Sequence, residues 1–243
     1  RQSVRRISKA VRWVERRVAS LAFLAALPAT QENVNALVAT PDVSESAVSA
    51  QDTLYLQLQS LLSQDTAFRS LSVLDNEGNV LVSAGSRGAE SLLRQIPVLD
   101  DGQDVALKPI PFDPDTKDAL IAAQRIVGRD GETIGLLVGQ LSLDDLMADL
   151  QAVSALGETG EIYLVGASGM AWPQGREVSS RGVDSALVGE RAEGLFDNYA
   201  GVPVIGIYCW MPELGLALVV EQSQDEAFAN ATTRGRICHV YYT

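Results

Sequence analysis

The feature that most constrains this chain is a strand-turn-strand pattern that occurs twice. In the later copy, Leu156-Gly-Glu-Thr-Gly-Glu-Ile-Tyr-Leu-Val-Gly-Ala-Ser-Gly169, Gly157 and Gly160 punctuate the approach and Ile162 to Val165 have strand character. Four such residues between glycine turns read as a short buried strand entering a hairpin. In the earlier copy, Leu71-Ser-Val-Leu-Asp75 runs through Asn76-Glu-Gly-Asn79 and out along Val80-Leu-Val82, so Gly78 takes the place of Gly169. Two such units imply one fold used twice. A chain of 243 residues has room for two modules of roughly 100 residues each.

The segments around these units fill in the plan. Val4, Ile7, Val11, Val14, Val18, Leu21 and Ala25 alternate spacings of three and four, which places them on one seam of a helix over residues 1–27. The seam fits two arrangements: pairing with a second copy of the chain, or packing on the chain's own body. Ala19 to Leu27 is apolar nearly all round, as where a helix enters a core. Pro28 and Pro41 mark breaks, and 44–63 reads as further helix. The hairpin at 68–83 precedes a polar, proline-containing stretch from Ser86 to Asp118. Residues 119–127 and 134–141 then read as an antiparallel pair around Arg129-Asp-Gly-Glu132, and 143–156 returns to helical spacing. The second unit follows the same order: a hairpin from Ile162, a glycine- and charge-rich middle at 174–200, and strands at 202–211 and 216–221. Asp225-Glu-Ala-Phe228 echoes Asp144-Asp-Leu-Met147. The expected class is α+β, with antiparallel sheets strung on one long helix.

Charge and composition exclude several functions. The net charge is −12, yet residues 1–30 carry Arg1, Arg5, Arg6, Lys9, Arg12, Arg16 and Arg17 against Glu15 alone. A body this acidic lacks the basic surface that nucleic-acid binding needs. The basic start reads either as a lipid-headgroup contact or as a solvated helix face. Cys209 and Cys238 are too few for a cysteine framework or a zinc site, and Cys209, in an apolar run, reads as a buried thiol. His239, the only histidine, lies near the end, which argues against histidine acid–base chemistry. No carboxylate sits in a motif with a partner of fixed role, so no catalytic residue, metal site or cofactor is expected. The chain starts on arginine, with no signal peptide and no bilayer-spanning run. It reads as a piece cut from a longer protein, with room in the remainder for membrane segments.

The long helix, the tandem sheet modules and three phrases resemble the double Cache sensor domains of bacterial receptors. The phrases are Gly157-Glu-Thr-Gly-Glu-Ile-Tyr-Leu-Val165, Gly201-Val-Pro-Val-Ile-Gly-Ile-Tyr208 and Glu213-Leu-Gly-Leu-Ala-Leu-Val-Val-Glu221. Val73-Leu-Asp-Asn-Glu-Gly78 and Arg129-Asp-Gly-Glu-Thr-Ile-Gly135 carry the resemblance in the first module. It implies an α+β fold of a long N-terminal helix followed by two tandem PAS-like modules. The expected divisions are 1–67 (helices), 68–150 (membrane-distal module), 151–232 (membrane-proximal module) and 233–243 (tail). It also implies an extracytoplasmic domain between transmembrane helices that feeds a histidine kinase, chemoreceptor, cyclase or phosphatase, with the ligand in the distal module. Amino-acid-binding members carry an arginine and then a tryptophan–tyrosine pair there. This chain has no tryptophan between Trp13 and Trp172 and no tyrosine between Tyr55 and Tyr163; Phe112 stands in the corresponding region. The ligand expectation is therefore a small polar metabolite, an organic anion before an α-amino acid.

The polar groups nominated for that site are Ser83, Arg94, Asp113, Asp115 and Gln124. Arg94 offers a fork of donors to a carboxylate, and Asp113 or Asp115 would hold an ammonium. Each also has a plainer reading: Arg94 as a surface arginine, the aspartates as turn caps beside Pro111 and Pro114, and Gln124 as a solvent-facing residue. Trp172 and Trp210 read as core or interface packing. The expected partners are the small ligand, a second copy paired through the N-terminal helix, and the flanking membrane and output segments. The competing reading is a ligand-free structural or dimerisation spacer.

Overall fold

The computed structural model describes residues 2–39, 44–86, 105–110, 119–152, 156–212 and 214–229. Three helices come first: α1 (Gln2–Ala26), α2 (Pro28–Ala39) and α3 (Glu45–Gln64). Pro28 falls at the break between α1 and α2, as expected, and takes the first position of α2, where a residue has no intrahelical use for its N–H. On α1 the fully buried positions are Ala10, Trp13, Val14, Leu21, Leu24 and Ala25. Three members of the expected seam, Val14, Leu21 and Ala25, are thus covered by the chain's own body. Burial is not all round at 19–27, however: Phe23 is 69% exposed, and Ala19 and Ala26 face out with it. Arg17 fastens α1 to the end of α3. Its guanidinium stacks 4.2 Å from the Trp13 ring centroid and donates to Asp65 at 3.1 Å. Asp65 caps α3, and its carboxylate accepts from the Ala67 N–H that leads into the first strand. α3 is begun by Ser44, whose hydroxyl accepts from the Ala47 N–H at 3.1 Å. It buries Ala47, Ala50, Leu54 and Leu58 as one helical stripe.

The first sheet contains β1 (Phe68–Leu74), β2 (Val80–Gly85), β3 (Val105–Ile110), β4 (Ala119–Val127) and β5 (Thr133–Ser142), in the order β2-β1-β5-β4-β3. Helix α4 (Leu143–Gln151) follows. The second sheet contains β6 (Glu161–Gly166), β7 (Met170–Trp172), β8 (Arg176–Glu177), β9 (Ala192–Asp197), β10 (Pro203–Met211) and β11 (Leu216–Ser223), in the order β8-β7-β6-β11-β10-β9. Helix α5 (Arg181–Leu187) lies between β8 and β9, and a last helix, α6, spans 224–229. All pairings are antiparallel. Apart from β8 on its edge, the second sheet repeats the connectivity of the first: a hairpin, its first strand paired to the last, then the two preceding strands outward. Gly78 and Gly169 turn the two hairpins at φ 86° and 81°, a left-handed conformation that favours glycine.

Contacts divide the chain into two units, Arg12–Leu146 and Arg1–Val11 with Met147–Thr243. In the first, Leu71, Val73, Leu120, Leu137 and Leu141 are fully buried, each contributing at most about 1.5–3 kcal/mol. In the second, Tyr163, Val165, Val183, Tyr208, Ala217 and Val219 form the core.

The units share one further device. In the first, Arg69 at the start of β1 donates to Asp144 of α4 at 2.7 Å. In the second, Glu226 of α6 accepts from the backbone N–H groups of Glu158 and Thr159, each at 2.8 Å, and from the Thr159 hydroxyl. The Thr159 hydroxyl, and after it the two N–H groups, hold the Glu226 carboxyl well below the usual range, at about 2. In both units an acid in the first turn of the outgoing helix is tied to the start of the first strand.

Candidate functional site

Successive side chains in a strand point to opposite faces, and directly paired residues share a face. In the first sheet this alternation separates two surfaces. Val82, Val73, Leu137 and Gln124 form one row, with Leu71, Gly139 and Ala122 in the next row of the same face. Helix α2 covers this face, since a Cβ on Gly135 would stand 3.5 Å from Val34. The opposite face carries Ser83, Ser72, Val138 and Ala123 in one row, and Ser70, Gln140 and Ile121 in the next.

That second face holds an unusual concentration of buried polar groups. Ser70, Ser72 and Gln140 are buried among Leu74, Ile121, Ala123 and Val138. The Ser70 hydroxyl donates to the Gln140 carbonyl at 3.0 Å, and the Ser72 and exposed Ser83 hydroxyls lie 3.0 Å apart. Arg125 belongs to the same face one row further on and reaches Thr133 Oγ1 at 3.4 Å. Lys108 stands in register with Ile121, and so with the Gln140 row. The row offers neutral hydrogen-bonding groups set in an apolar wall, with a guanidinium at one end. That equipment suits binding a polar small molecule. Ser, Gln and Arg at these spacings hold no nucleophile beside a base.

Of the nominated residues, Ser83 lies on this face. Gln124 lies on the other, buried on the helix side, where its Oε1 has no partner and its Nε2 donates to the Arg125 carbonyl at 3.3 Å. The solvent-facing reading of Gln124 therefore does not hold, and the register does not bring it together with Ser83. Arg94, Asp113 and Asp115 lie outside the described residues, as do Phe112, Cys238 and His239. Ser70, Ser72 and Gln140 were not nominated, although Ser70-Leu-Ser-Val73 is a period-two interruption of an apolar strand.

The second unit carries a separate polar cluster. Glu221 of β11, 2% exposed, accepts from the hydroxyls of Tyr163 at 3.2 Å and Tyr208 at 3.1 Å and from the Asn198 amide at 3.2 Å. Burial pushes its carboxyl above the usual glutamate range; the three donors oppose that shift and Glu161 adds to it. Burial, and then the charge on Glu221, push both tyrosine hydroxyls up as well. The Tyr208 ring occupies a slot in which a Cβ on Gly182 would come within 2.4 Å, and one on Gly206 within 2.8 Å. Trp172 is buried in this unit and Trp210 packs against its core, as expected, while Cys209 is half-buried rather than buried, with its thiol 3.5 Å from the Trp210 carbonyl. No group of potential metal ligands occurs among the described residues, and no helix there is long and apolar enough to cross a membrane.

The Cache domain family matches residues 2–231. No curated protein matches the chain. Among solved structures, the ligand-binding domain of the Campylobacter jejuni chemoreceptor Tlp3 in complex with L-valine superposes with a TM-score of 0.61 at 14% identity, over 92% of this chain and 90% of that one. The ligand-binding domain of the Pseudomonas aeruginosa PAO1 amino-acid chemoreceptor PctB, in complex with L-Arg, gives 0.59 at 17% identity, over 96% and 89%. The sensor domain of the Vibrio cholerae histidine kinase DctB gives 0.57 at 13%, over 89% and 95%. With a family match over nearly its whole length and a duplicated sheet topology to support it, the chain belongs to the Cache family, as a non-catalytic, extracytoplasmic small-molecule sensor domain of bacterial receptors.

Proposed function

We propose that the first, membrane-distal unit binds a small polar metabolite, an organic anion before an α-amino acid, on the sheet face that carries Ser70, Ser72, Ser83 and Gln140. The observation that carries this reading is the buried polar row itself. Three buried polar side chains, Ser70, Ser72 and Gln140, stand in a wall of Leu74, Ile121, Ala123 and Val138, the mix of apolar surface and a few convergent polar groups that suits a small ligand. Arg94, from the segment that follows β2, and Arg125 supply the positive charge for a carboxylate in this reading. Asp113 and Asp115 serve an ammonium if the ligand has one. The relatives Tlp3 and PctB were solved with L-valine and L-Arg; the absent tryptophan–tyrosine pair favours a different ligand here.

Binding becomes a signal only if one arrangement of the unit holds the ligand better than another. In this reading α1 carries the shift toward the membrane, because Arg17 ties it to Asp65 at the threshold of β1. Pairing of two copies through the outer face of α1 completes the picture, with exposed Phe23 beside an apolar groove of about 400 Å3 between α1 and α3.

A thermal-shift screen of organic acids and amino acids tests the site. A ligand at 100 times its dissociation constant adds about 2.7 kcal/mol, a readable shift. The expected hit is an organic acid whose shift is lost in Arg94→Ala and in Gln140→Leu. A hit that survives both substitutions overturns the site, and a clean amino-acid hit overturns the ligand class. Silence across the library favours the spacer reading.

A further inference from the structure

The second unit buries a carboxylate with no cation beside it. Register places Glu221 of β11 directly opposite Glu161 of β6. Directly opposed residues on antiparallel neighbours share a face, with Cβ atoms about 4.5–5.5 Å apart, and like charges so placed repel. The groups bonded to Glu221 from the other elements are all neutral. From β6 comes the Tyr163 hydroxyl and from β10 the Tyr208 hydroxyl; the loop after β9 gives the Asn198 amide. Arg176 of β8 lies 4.4 Å from the Tyr199 ring centroid, and the Tyr199 hydroxyl donates to Glu161 at 3.0 Å. On α5 the charged groups are Arg181 and Asp184, and Asp184 accepts from the Ser179 hydroxyl at 3.2 Å. Among the described residues no ion pair reaches Glu221.

The cage around this acid has little freedom to adapt. The Tyr208 ring lies directly against Gly182 and Gly206, where any added side chain would collide with it, and the Phe196 ring meets it edge-on at 5.0 Å. Tyr199 meets Tyr163 edge-on at 5.7 Å. A buried cage of neutral donors, with the exposed Glu161 carboxylate opposite, disfavours a second negative charge on Glu221 through both burial and repulsion.

We propose that Glu221, buried directly opposite the exposed Glu161, is a proton-binding site through which the second unit responds to the acidity of the medium. With a proton from solvent on Glu221, the cage is closed and Tyr163 and Tyr208 stay seated on it. With Glu221 ionised, burial and repulsion from Glu161 drive the carboxylate toward water and loosen the sheet centre between β6 and β11. Burial and the neighbouring carboxylate both raise the proton affinity of Glu221, which is consistent with this geometry. A folded value above the ordinary 4.5 gives stability that is complete below 4.5 and is lost as pH rises through the folded value. The device is independent of the ligand site in the first unit.

The test uses the full chain and two readouts across about pH 4.5 to 8: the melting temperature and the near-ultraviolet tyrosine difference spectrum. The wild type is expected to lose melting temperature with rising pH, with a tyrosine spectral change at the same midpoint. Glu221→Gln, neutral at every pH, should abolish the spectral step. Glu161→Gln leaves Glu221 in place without its opposing charge and should lower the midpoint. An unchanged spectral step in Glu221→Gln overturns the proposal, as does an unshifted midpoint in Glu161→Gln. Should Glu221→Gln not fold, the Glu161→Gln midpoint alone decides.

Discussion

Gly182→Ala sets helix propensity against packing, and the structure fixes which wins. Gly182 is the second residue of α5, where alanine favours the helix by up to about 1 kcal/mol. Its Cβ, however, would stand 2.4 Å from Cε2 and Cζ of Tyr208, a fully buried ring. The ring has no simple retreat, because Gly206 closes it from a second side and its hydroxyl is bonded to Glu221 at 3.1 Å. Overpacking of this kind costs about 1–3 kcal/mol. If the ring tilts instead, a buried acid loses one of its three donors at about 1–3 kcal/mol. The expected net loss is therefore about 0–3 kcal/mol, which lowers the melting point of a 243-residue chain by about 2–4 °C per kcal/mol. Urea denaturation followed by tryptophan fluorescence measures it, since Trp172 and Trp210 belong to this unit. In a Tyr208→Ala background the obstruction is gone, and Gly182→Ala should become neutral or gain up to about 1 kcal/mol. Equal losses in both backgrounds, or a gain in the wild type, would refute the packing argument.

Two further predictions follow from features of the helices. Phe23→Glu should leave the fold intact, because the side chain is 69% exposed, and should abolish the proposed pairing through α1, read in sedimentation velocity as a monomer against a wild-type dimer; a monomeric wild type or an unchanged dimer removes the outer face of α1 as the interface. For Glu226, whose folded value of about 2 lies below the ordinary 4.5, stability is present above 4.5 and lost as pH falls toward about 2. Glu226→Gln should melt earlier at neutral pH and lose less than the wild type over that acid range, and parallel melting curves against pH would contradict the tie to residues 158–159.

Much of the topology was legible because turns carry strong chemistry. The strand expected at 119–127 is β4 to the residue, framed by the Arg129-Asp-Gly-Glu132 turn. β3 was not expected, since Lys108-Pro109 argues against a strand. The sheet tolerates it because β3 is an edge, where a proline N–H is not needed. α5 and β9 hid within 174–200 because each is short and β9 is interrupted by Gly194. Gln124 illustrates why the site was harder than the fold. In Ala119-Leu-Ile-Ala-Ala-Gln-Arg-Ile-Val127 both faces are apolar, so alternation cannot say which face is which. Only the pairing with Leu137 and Val73 assigns it to the helix side. Glu221 was read as a strand end; its burial depends on tyrosines that arrive from β6 and β10.

The pairing of first strand with last in each sheet has a consequence for how the chain is made. The polar bonds across these central pairs, Ser70 to Gln140 and Tyr163 to Glu221, join residues 70 and 58 positions apart. Such contacts cannot form until the last strand of a module has been synthesised, and closing so long a loop must precede any reward from it. A chain emerging from N to C terminus thus presents only hairpins and helices until β5 appears, and again until β11 appears. An arrest just before either strand should leave a protease-sensitive module with Leu71 or Tyr163 uncovered, while a few residues more should give protection all at once. Each module, once its last strand is in place, folds with its two ends side by side, so a second copy can follow the first without rerouting the chain.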